Sequence, residues 1–521
     1  MDYQRIRHPI PPLYDKESRI LILGSFPSVK SREAAFFYGH PQNRFWKLLA
    51  ALFSEDVPVT VEEKSAFLHR NHVAVWDTIA SCEIQGSSDS SIKNVQVNDL
   101  SVILDHAPIE RIYCNGAKSH EYYRKYIQEK TGTEAVKLPS TSPANAAFGL
   151  EKLMDHWRQI LIPLRIAPAG IGRSLLSWYD FNGRILPWRS DPTPYHVWIS
   201  EIMLQQTRVE AVKDYYDRWM QDLPDIPSLA GVSDEKLMKL WEGLGYYNRA
   251  RNLKEAAITI MEKYGGQLPC DYEELLSLKG IGSYTAGAIA SIAFGQPRAA
   301  VDGNVLRIFS RILMEPGKIN SARTKGYLER EVLRTMPRER PGDYNQSLMD
   351  LGATVCLPNG QPLCEKCPWE SICRAHNKGT ECDYPVKEQK RPRRVEERAV
   401  FLIEWEGKYL LHKRERKGLL AGLWELPNLE GRYTLEKAGE EVAARGFYDY
   451  ILEPLGEGKH IFSHVEWHMT GYRVRLQTLT KRLRRILDED ADWTLATRRE
   501  LEESYALPSA FDRFKKQIDN S

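Results

Sequence analysis

The apolar residues of this chain follow three different rhythms, and the changes of rhythm divide it. Near the start, RILILGSF (residues 19–26) is a near-continuous apolar run closed by Gly-Ser, the pattern of a strand buried on both faces. NHVAVWDTIAS and ERIYCNGA repeat that pattern, with helix-like stretches such as RFWKLLAALF and YYRKYIQEK between them. Strands alternating with helices predict an α/β domain on a parallel sheet, and such sheets bind ligands at the carboxyl ends of their strands. Three polar loops fall there: GSFPS, GHPQNRFW and LPSTSPAN. After LRIAPAGIGRS, a Pro- and Gly-containing join, the period lengthens. PYHVWISEIMLQQTRVEAVKDYYDRWM and LLSLKGIGSYTAGAIASIAFGQPRAAVDGNVLR read as helices joined by short turns, predicting an all-α domain. The charged segment AHNKGTECDYPVKEQKRPRRVEE carries no apolar period and reads as an exposed linker whose basic run can touch phosphates. Beyond it, ERAVFLIEWEGKYLLHK and HIFSHVEWHMTGYRVRLQ return to strands in an α+β domain. The expected division is 1–168, 169–376, a linker at 377–396, and 397–521.

The chemistry sits in the helical part. The turn Lys279-Gly280-Ile281-Gly282-Ser283 bends tightly and leaves the next helix's first N–H groups bare, a site for one phosphate. The following helix, residues 284–294, has small residues on one face (Ala286, Ala290, Ala293), and Asp302 stands at a helix start. Glu201 has Val197 and Trp198 one turn before it and Leu204 one turn after. Desolvation raises a carboxyl pKa, so a Glu in that setting is a usable general acid. The alternative is a solvated Glu on a polar edge, which Gln205 and Gln206 beside it make less attractive. In GLGYYNRARN, Tyr246 can reach into DNA and Arg249 and Arg251 can meet phosphates, whereas Tyr247 is expected to pack. Cys356, Cys364, Cys367 and Cys373 are separated by seven, two and five residues. Four thiolates in one compact loop suit a tetrahedral metal or a [4Fe–4S] cluster, and the spacing leaves both open. Cys382 is read as a bystander.

Bulk properties add bounds. The chain has 521 residues, 42% hydrophobic and 27% charged, which is too much for one core. A net charge of +2 keeps any basic surface local. MDYQRIRHPIPPLYD lacks an apolar leader core and no run reaches membrane-spanning length, so a soluble intracellular protein without a membrane partner is expected.

From about residue 175 to Cys373, the motifs SEIMLQQT, GLGYYNRARN, LKGIGSYTAG, VDGNV and the cysteine loop resemble the adenine DNA glycosylases of the MutY type, within the endonuclease III superfamily. The resemblance implies a helix–hairpin–helix fold and a [4Fe–4S] cluster on Cys356, Cys364, Cys367 and Cys373. The first cysteine gap is one residue longer than the family's usual six. It implies Glu201 as proton donor to adenine, and Asp302 as electrostatic partner of the sugar cation, oriented by Asn304 and Tyr284. Gln206 and Tyr246 would fill the stack after adenine flips out. Arg189, Gly280 and Gly282 would bind DNA. Bifunctional relatives carry a lysine where Tyr284 stands, so no efficient strand-cleaving lyase is expected.

The C-terminal part resembles the Nudix-like domain of the same enzymes. Its box EKAGEEVAARG lacks the paired Arg-Glu, so no magnesium-dependent pyrophosphatase activity is expected. Phe462, Ser463 and His464 would read 8-oxoguanine on the opposite strand. The three loops of residues 1–168 resemble the uracil-DNA glycosylase superfamily, nearest its hypoxanthine (deoxyinosine) branch. Phe26 stands where many relatives carry the water-positioning Asn or Asp. Asn43 is the replacement candidate, with Ser140, Ser142 and Asn145 on phosphate or duplex. Asp77 is a further pocket candidate or a turn residue, and Phe45 and Trp46 are base-stacking or core aromatics. The expected whole is a monomeric, cytoplasmic, nucleoid-associated base excision repair enzyme; the alternatives are a non-catalytic DNA clamp in the N-terminal domain, or a damage-binding iron–sulfur protein throughout. Its partner would be double-stranded DNA with mispaired or damaged bases, adenine opposite 8-oxoguanine or guanine for the central domain and hypoxanthine or another deaminated base for the N-terminal one.

Overall fold

The structure is a computed structural model that describes residues 3–53, 55–85, 91–164, 166–167, 170–388 and 392–519. The expected domain boundary at 168/169 and residues 389–391 of the expected linker lie outside the described residues. The chain forms two compact units, each built from two separate stretches: Met1–Gly183 with Val301–Glu388, and Arg184–Ala300 with Gln389–Ser521. Sequence rhythm divides the chain into successive pieces and does not anticipate this interleaving.

In the first unit, strands β1 (Gln4–Arg7) to β7 (Ala135–Leu138) make two sheets. The larger has the order β3-β2-β6-β7, with β2 at Ile20–Gly24, β3 at Val73–Asp77 and β6 at Arg111–Asn115, and every pairing in it is parallel. All five residues of β2 are buried, as an apolar run covered on both faces requires. Parallel strands align their carboxyl ends, so Gly24, Asp77, Asn115 and Leu138 share one edge.

The second sheet, β1-β4-β5, is antiparallel and uses β4 (Ile79–Ile84) and β5 (Lys93–Val97). The stretch NHVAVWDTIAS, one strand by pattern, therefore breaks at Thr78 and changes sheets. Thr78 makes the corner by donating both its N–H and its hydroxyl to the Gly24 carbonyl, at 2.9 and 3.1 Å.

Helices Ile171–Asn182, Gly303–Leu313, Ala322–Thr335 and Pro341–Thr354 complete this unit, together with the cysteine segment. Trp369, 1% exposed, donates its indole N–H to the Ile171 carbonyl at 2.9 Å. The join between the α/β part and these helices is fastened at both polar groups of Ala167. Its N–H donates to Glu331 Oε2 at 2.8 Å, and its carbonyl accepts from Arg334 Nη2 at 2.6 Å.

The second unit contains helices Pro194–Leu204, Val209–Asp222, Asn248–Tyr264 and Ser283–Ala288, among shorter ones, and a mixed sheet. That sheet runs β10 (Trp424–Glu425), β9 (Lys408–Lys413), β8 (Arg394–Trp405), β13 (Val465–Leu476), β12 (Tyr450–Ile461). Strands β11 (Asn428–Glu430) and β14 (Trp493–Thr497) flank it on β8 and β9. The helix expected at 284–294 is α-helical only over Ser283–Ala288 and passes into a π-helical turn over Ile289–Ala293. Gly287 carries the close approach there: a Cβ on it would lie 2.1 Å from the Ala299 carbonyl oxygen.

The expected linker 377–396 is largely ordered structure. Residues 381–383 form a 3-10 turn with Glu381 buried, and β8 already begins at Arg394. The reason is local: the Glu381 and Tyr384 carbonyls both accept from Arg311 Nε, at 2.9 and 3.1 Å.

Candidate active sites

Glu201 lies in helix Pro194–Leu204, capped by Thr193, whose hydroxyl accepts from the His196 N–H at 3.2 Å. The apolar run buries this helix almost all round, from Tyr195 to Met203 apart from His196. Glu201 is only 5% exposed, which removes the solvated-edge reading. A carboxyl taken from water needs a partner, and Tyr284, at the start of helix Ser283–Ala288, donates its hydroxyl to Glu201 Oε2 at 2.5 Å. Tyr284, assigned by resemblance to orienting Asp302, thus has a hydrogen bond to Glu201 within its own unit.

The helix ends at Gln205, and Gln206 follows in the left-handed region, exposed, with φ +59°. Tyr246 has a similar conformation, φ +47°, and is 51% exposed after Gly245 at φ +70°. Both loops are held by Arg249. Its Nη1 donates to the carbonyls of Ile202, Met203 and Gln205 at 2.7, 3.0 and 2.8 Å, and its Nη2 to those of Leu244 and Gly245 at 2.9 and 3.0 Å. This guanidinium satisfies the bare carbonyls of a helix end and of the neighbouring loop together. Burial lowers the Arg249 pKa to about 10, which leaves it cationic at neutral pH. Arg249 is therefore not a phosphate contact; it is buried, 9% exposed. Arg251, half-buried, bonds to Asn248 and to the Ala421 carbonyl. Tyr247 is packed, 7% exposed, as expected. Arg189, on the short helix Pro187–Ser190, donates to the Arg184 carbonyl at 3.1 Å.

The turn at 279–283 is built as its glycines require. Gly280 has φ +78° with Asn252 packed against it, and Gly282 is the exposed N-cap of helix Ser283–Ala288. In the first unit, Asp302 caps helix Gly303–Leu313. Its Oδ1 accepts from the N–H groups of Asn304 and Val305, both at 2.8 Å, and its Oδ2 from Asn304 Nδ2 at 2.7 Å. Asn304 is itself held by Arg307 Nη2 at 2.9 Å. Burial raises the Asp302 pKa, and the hydrogen bonds from Val305 and Asn304 oppose that.

Cys356, Cys364, Cys367 and Cys373 line one cavity with Arg311, Trp369 and Glu381. Arg311 Nη1 donates to Cys356 Sγ at 3.2 Å, and burial pushes the Cys364 and Cys367 thiols up to about 11 and about 12. Four sulfur donors around one space, with a cation bonded to one of them, fit a thiolate-bound metal centre. Cys364, His376 and Glu381 also bring one ligand atom each within 4.8 Å of one another. Cys382 is exposed and does not line the cavity.

Residues 462–464 turn between β12 and β13. Ser463 and His464 are exposed and bonded to each other at 3.1 Å. Phe462 is half-buried against Trp467, ring centroids 5.0 Å apart, so its ring is committed to the domain more than its neighbours are.

In the α/β domain, Asn43 Oδ1 accepts from the Phe45 N–H at 3.0 Å, which starts helix Phe45–Phe53. Phe45 and Trp46 are 0% and 5% exposed, and Phe45 stacks on Tyr38 at 3.8 Å, so both are core aromatics. Ser140 and Ser142 build their loop: Ser142 N–H donates to Ser140 Oγ at 3.2 Å, and Asn145 Nδ2 to the Ser140 carbonyl at 2.9 Å. Arg44, passed over in the sequence, fastens this loop to HPQNRFW by donating to the carbonyls of Thr141, Ser142, Asn145 and Phe148. A lone Arg among aromatics gives no sign of such a role.

The helical part and its turn define the class. Residues 199–334 match the HhH-GPD superfamily of base excision DNA repair proteins, 399–517 match a NUDIX domain, and 11–162 match the uracil DNA glycosylase superfamily. The chain is 37% identical over 404 residues to adenine DNA glycosylase of Rattus norvegicus, covering 64% of this chain and 77% of that protein. It is 38% identical over 372 residues to the Homo sapiens enzyme, covering 59% and 67%. A solution structure of a putative uracil DNA glycosylase from Methanosarcina acetivorans is 31% identical, with 30% of this chain and 99% of that one covered and a TM-score of 0.27. This chain belongs to the adenine DNA glycosylase family, with a uracil DNA glycosylase superfamily domain fused ahead of the helical part, and it is a DNA glycosylase of base excision repair.

The fork on Arg249 has a measurable consequence. Arg249→Lys keeps the charge and loses most of the carbonyl bonds, so thermal unfolding should show a loss of about 2–4 kcal/mol. Arg249→Gln, which also removes the charge, should leave the salt dependence of DNA binding unchanged, whereas removal of a phosphate contact would reduce its slope by about 1.

Proposed function

We propose that the helical domain hydrolyses the N-glycosidic bond of adenine mispaired with 8-oxoguanine or guanine, and that the N-terminal domain releases hypoxanthine or another deaminated base. The observation that carries the first reading is Glu201, buried and held by the Tyr284 hydroxyl inside the region matched to base excision proteins. Adenine leaves poorly until a ring nitrogen is protonated. Glu201 donates that proton and then helps activate the water, a contribution of about 10²–10⁴ in rate. The sugar gains oxocarbenium character, and Asp302 stabilises it electrostatically while Asn304 holds the carboxylate in place. Tyr284 stands where a Schiff-base lysine would be needed, so the enzyme hydrolyses without cleaving the strand.

Gln206 and Tyr246 occupy the stack vacated by the flipped base, each projecting from a left-handed position on a loop clamped by Arg249. Gly280 and Gly282 open a helix start toward one phosphate, and Arg189 adds a contact to DNA. Ser463 and His464 bond the edge of 8-oxoguanine, with Phe462 as their support. Cys356, Cys364, Cys367 and Cys373 hold a [4Fe–4S] cluster. When bound, that cluster is structural, since hydrolysis transfers no electrons. In the N-terminal domain, Asn43 positions water or a base edge, and Ser140 and Ser142 meet the backbone of the duplex. The enzyme works as a monomer in the cytoplasm, on the nucleoid.

The test is the identity of the released base. The full chain should free adenine from an A:8-oxoguanine duplex and hypoxanthine from an inosine duplex, each leaving an abasic strand uncut until alkali is added. Recovery of neither base, by chromatography after a single turnover, contradicts the reading.

The role of Asp302 also fixes a pH limb. A carboxyl whose pKa is raised by burial stays protonated to higher pH, and only its anion stabilises the sugar cation. Adenine release should therefore fall as pH drops toward that raised pKa, while Asp302→Asn is slower throughout and lacks this limb.

A further inference from the structure

Trp369 and Arg374 stand on either side of Cys373, the last of the four cysteines around the common cavity. The Cys373 N–H donates to the Trp369 carbonyl, and the Cys373 carbonyl accepts from the Asn377 N–H, both at 3.0 Å. These bonds make one tight turn into helix Arg374–Lys378. Both flanking side chains reach the stretch where the α/β domain joins the helices. The Trp369 indole N–H meets the Ile171 carbonyl and, at 3.1 Å, Ser174 Oγ. Arg374 Nη2 donates to the carbonyls of Leu161 and Ile166 at 3.0 and 2.9 Å, and its Nη1 to that of Ile162 at 3.1 Å.

The short helix Leu161–Leu164 closes the α/β domain, and the last carbonyls of a helix lack partners within it. The rigid fork of a guanidinium suits several such acceptors at once, and charged donors make the stronger bonds. The clamp of Glu331 and Arg334 on Ala167 comes from another helix, Ala322–Thr335, and serves only the residue after them.

The segment that supplies these bonds has little fold of its own. Of residues 357–373, only Pro362 and Trp369 are buried. Its regular structure is two 3-10 turns, Cys364–Lys366 and Glu370–Ile372. Burial on that scale does not offset the entropy of ordering such a loop. Where a loop is this poor in core, metal ligation supplies its folding free energy.

We propose that the cysteine loop latches the N-terminal domain. Metal binding at the four cysteines orders residues 369–374, and Arg374 and Trp369 then fasten the end of the α/β domain to the helices. The carbonyls that Arg374 serves belong to the fused domain, so this contact exists only in a chain that has both parts. Docking of the N-terminal domain thereby depends on a metal centre outside it. This inference rests on the reading of the four cysteines as a cluster site.

Amide hydrogen exchange on the full chain tests it, with iron and sulfide measured on the same samples. The reporters are residues 158–166, among them the Ile166 N–H, which donates to the Leu161 carbonyl at 3.0 Å. Strand Ile20–Gly24 is the control for the fold of the α/β domain. Arg374→Gln should keep its iron and raise exchange at 158–166 at least tenfold, with Ile20–Gly24 within threefold of wild type. Cys364→Ser, lacking iron, should open the same residues at least tenfold and spare the same strand.

A rise below tenfold at 158–166 in either variant overturns the proposal. So does faster exchange in Ile20–Gly24, since the loop would then maintain the domain's fold and not its docking. Loss of iron from Arg374→Gln also overturns it, because the residue would then support the metal site instead of acting through it. Wild-type protein isolated without oxygen and without bound iron refutes the cluster reading itself. Iron-loaded protein whose residues 158–166 stay protected after iron is removed refutes the latch alone.

Discussion

A carboxyl group removed from water must be supplied with partners by the protein, and the helical domain is organised around doing so for Glu201. Its helix is apolar nearly all round, which is unusual for a segment that ends at an exposed loop. The Tyr284 hydroxyl answers the side chain. Arg249 answers the helix end, taking three carbonyls there and two from the loop that carries Tyr246. Acid, helix end and both protruding residues are thereby fixed relative to one another. A general acid must meet its proton acceptor within hydrogen-bond reach, so this rigidity is part of the chemistry.

The N-terminal domain reaches the same end with different parts. Arg44 gathers four carbonyls of residues 141–148 and ties that loop to the one bearing Asn43. His8 fixes Asp77, and Phe45 fixes Tyr38. In both domains a guanidinium, buried at Arg249 and half-buried at Arg44, replaces regular secondary structure as the support of the loops. Arginine suits this because five donors in a rigid fork match several carbonyls at once, which a lysine cannot do.

Much of this was legible in the sequence, and the limits were physical. The ILIL run announced a strand buried on both faces, and parallel pairing followed from alternation with helices. The apolar neighbours of Glu201 announced its burial, and the cysteine spacing gathered four thiols on one cavity. Periodicity reports which face an element buries, not what it meets. The corner at Thr78 was hidden because the run VAVWDTIAS carries no Gly or Pro to mark a turn. The pairing of His8 with Asp77 joins residues 69 positions apart in sequence. Arg249, in the first turn of helix Asn248–Tyr264, reads as a cation free to meet phosphate until the carbonyls around it are known. The division into two units, each drawing on two stretches, leaves no local trace at all.

The account stands or falls on Glu201 as the proton donor to the departing base. The most direct measurement is the single-turnover rate of adenine release from an A:8-oxoguanine duplex by Glu201→Gln, with DNA affinity measured on the same preparation. Gln keeps the size of the side chain and can still accept from Tyr284, but it has no acidic proton. The account predicts a rate at least 10³-fold below wild type with affinity within about threefold, as loss of a transition-state interaction requires. A rate within tenfold of wild type would contradict it.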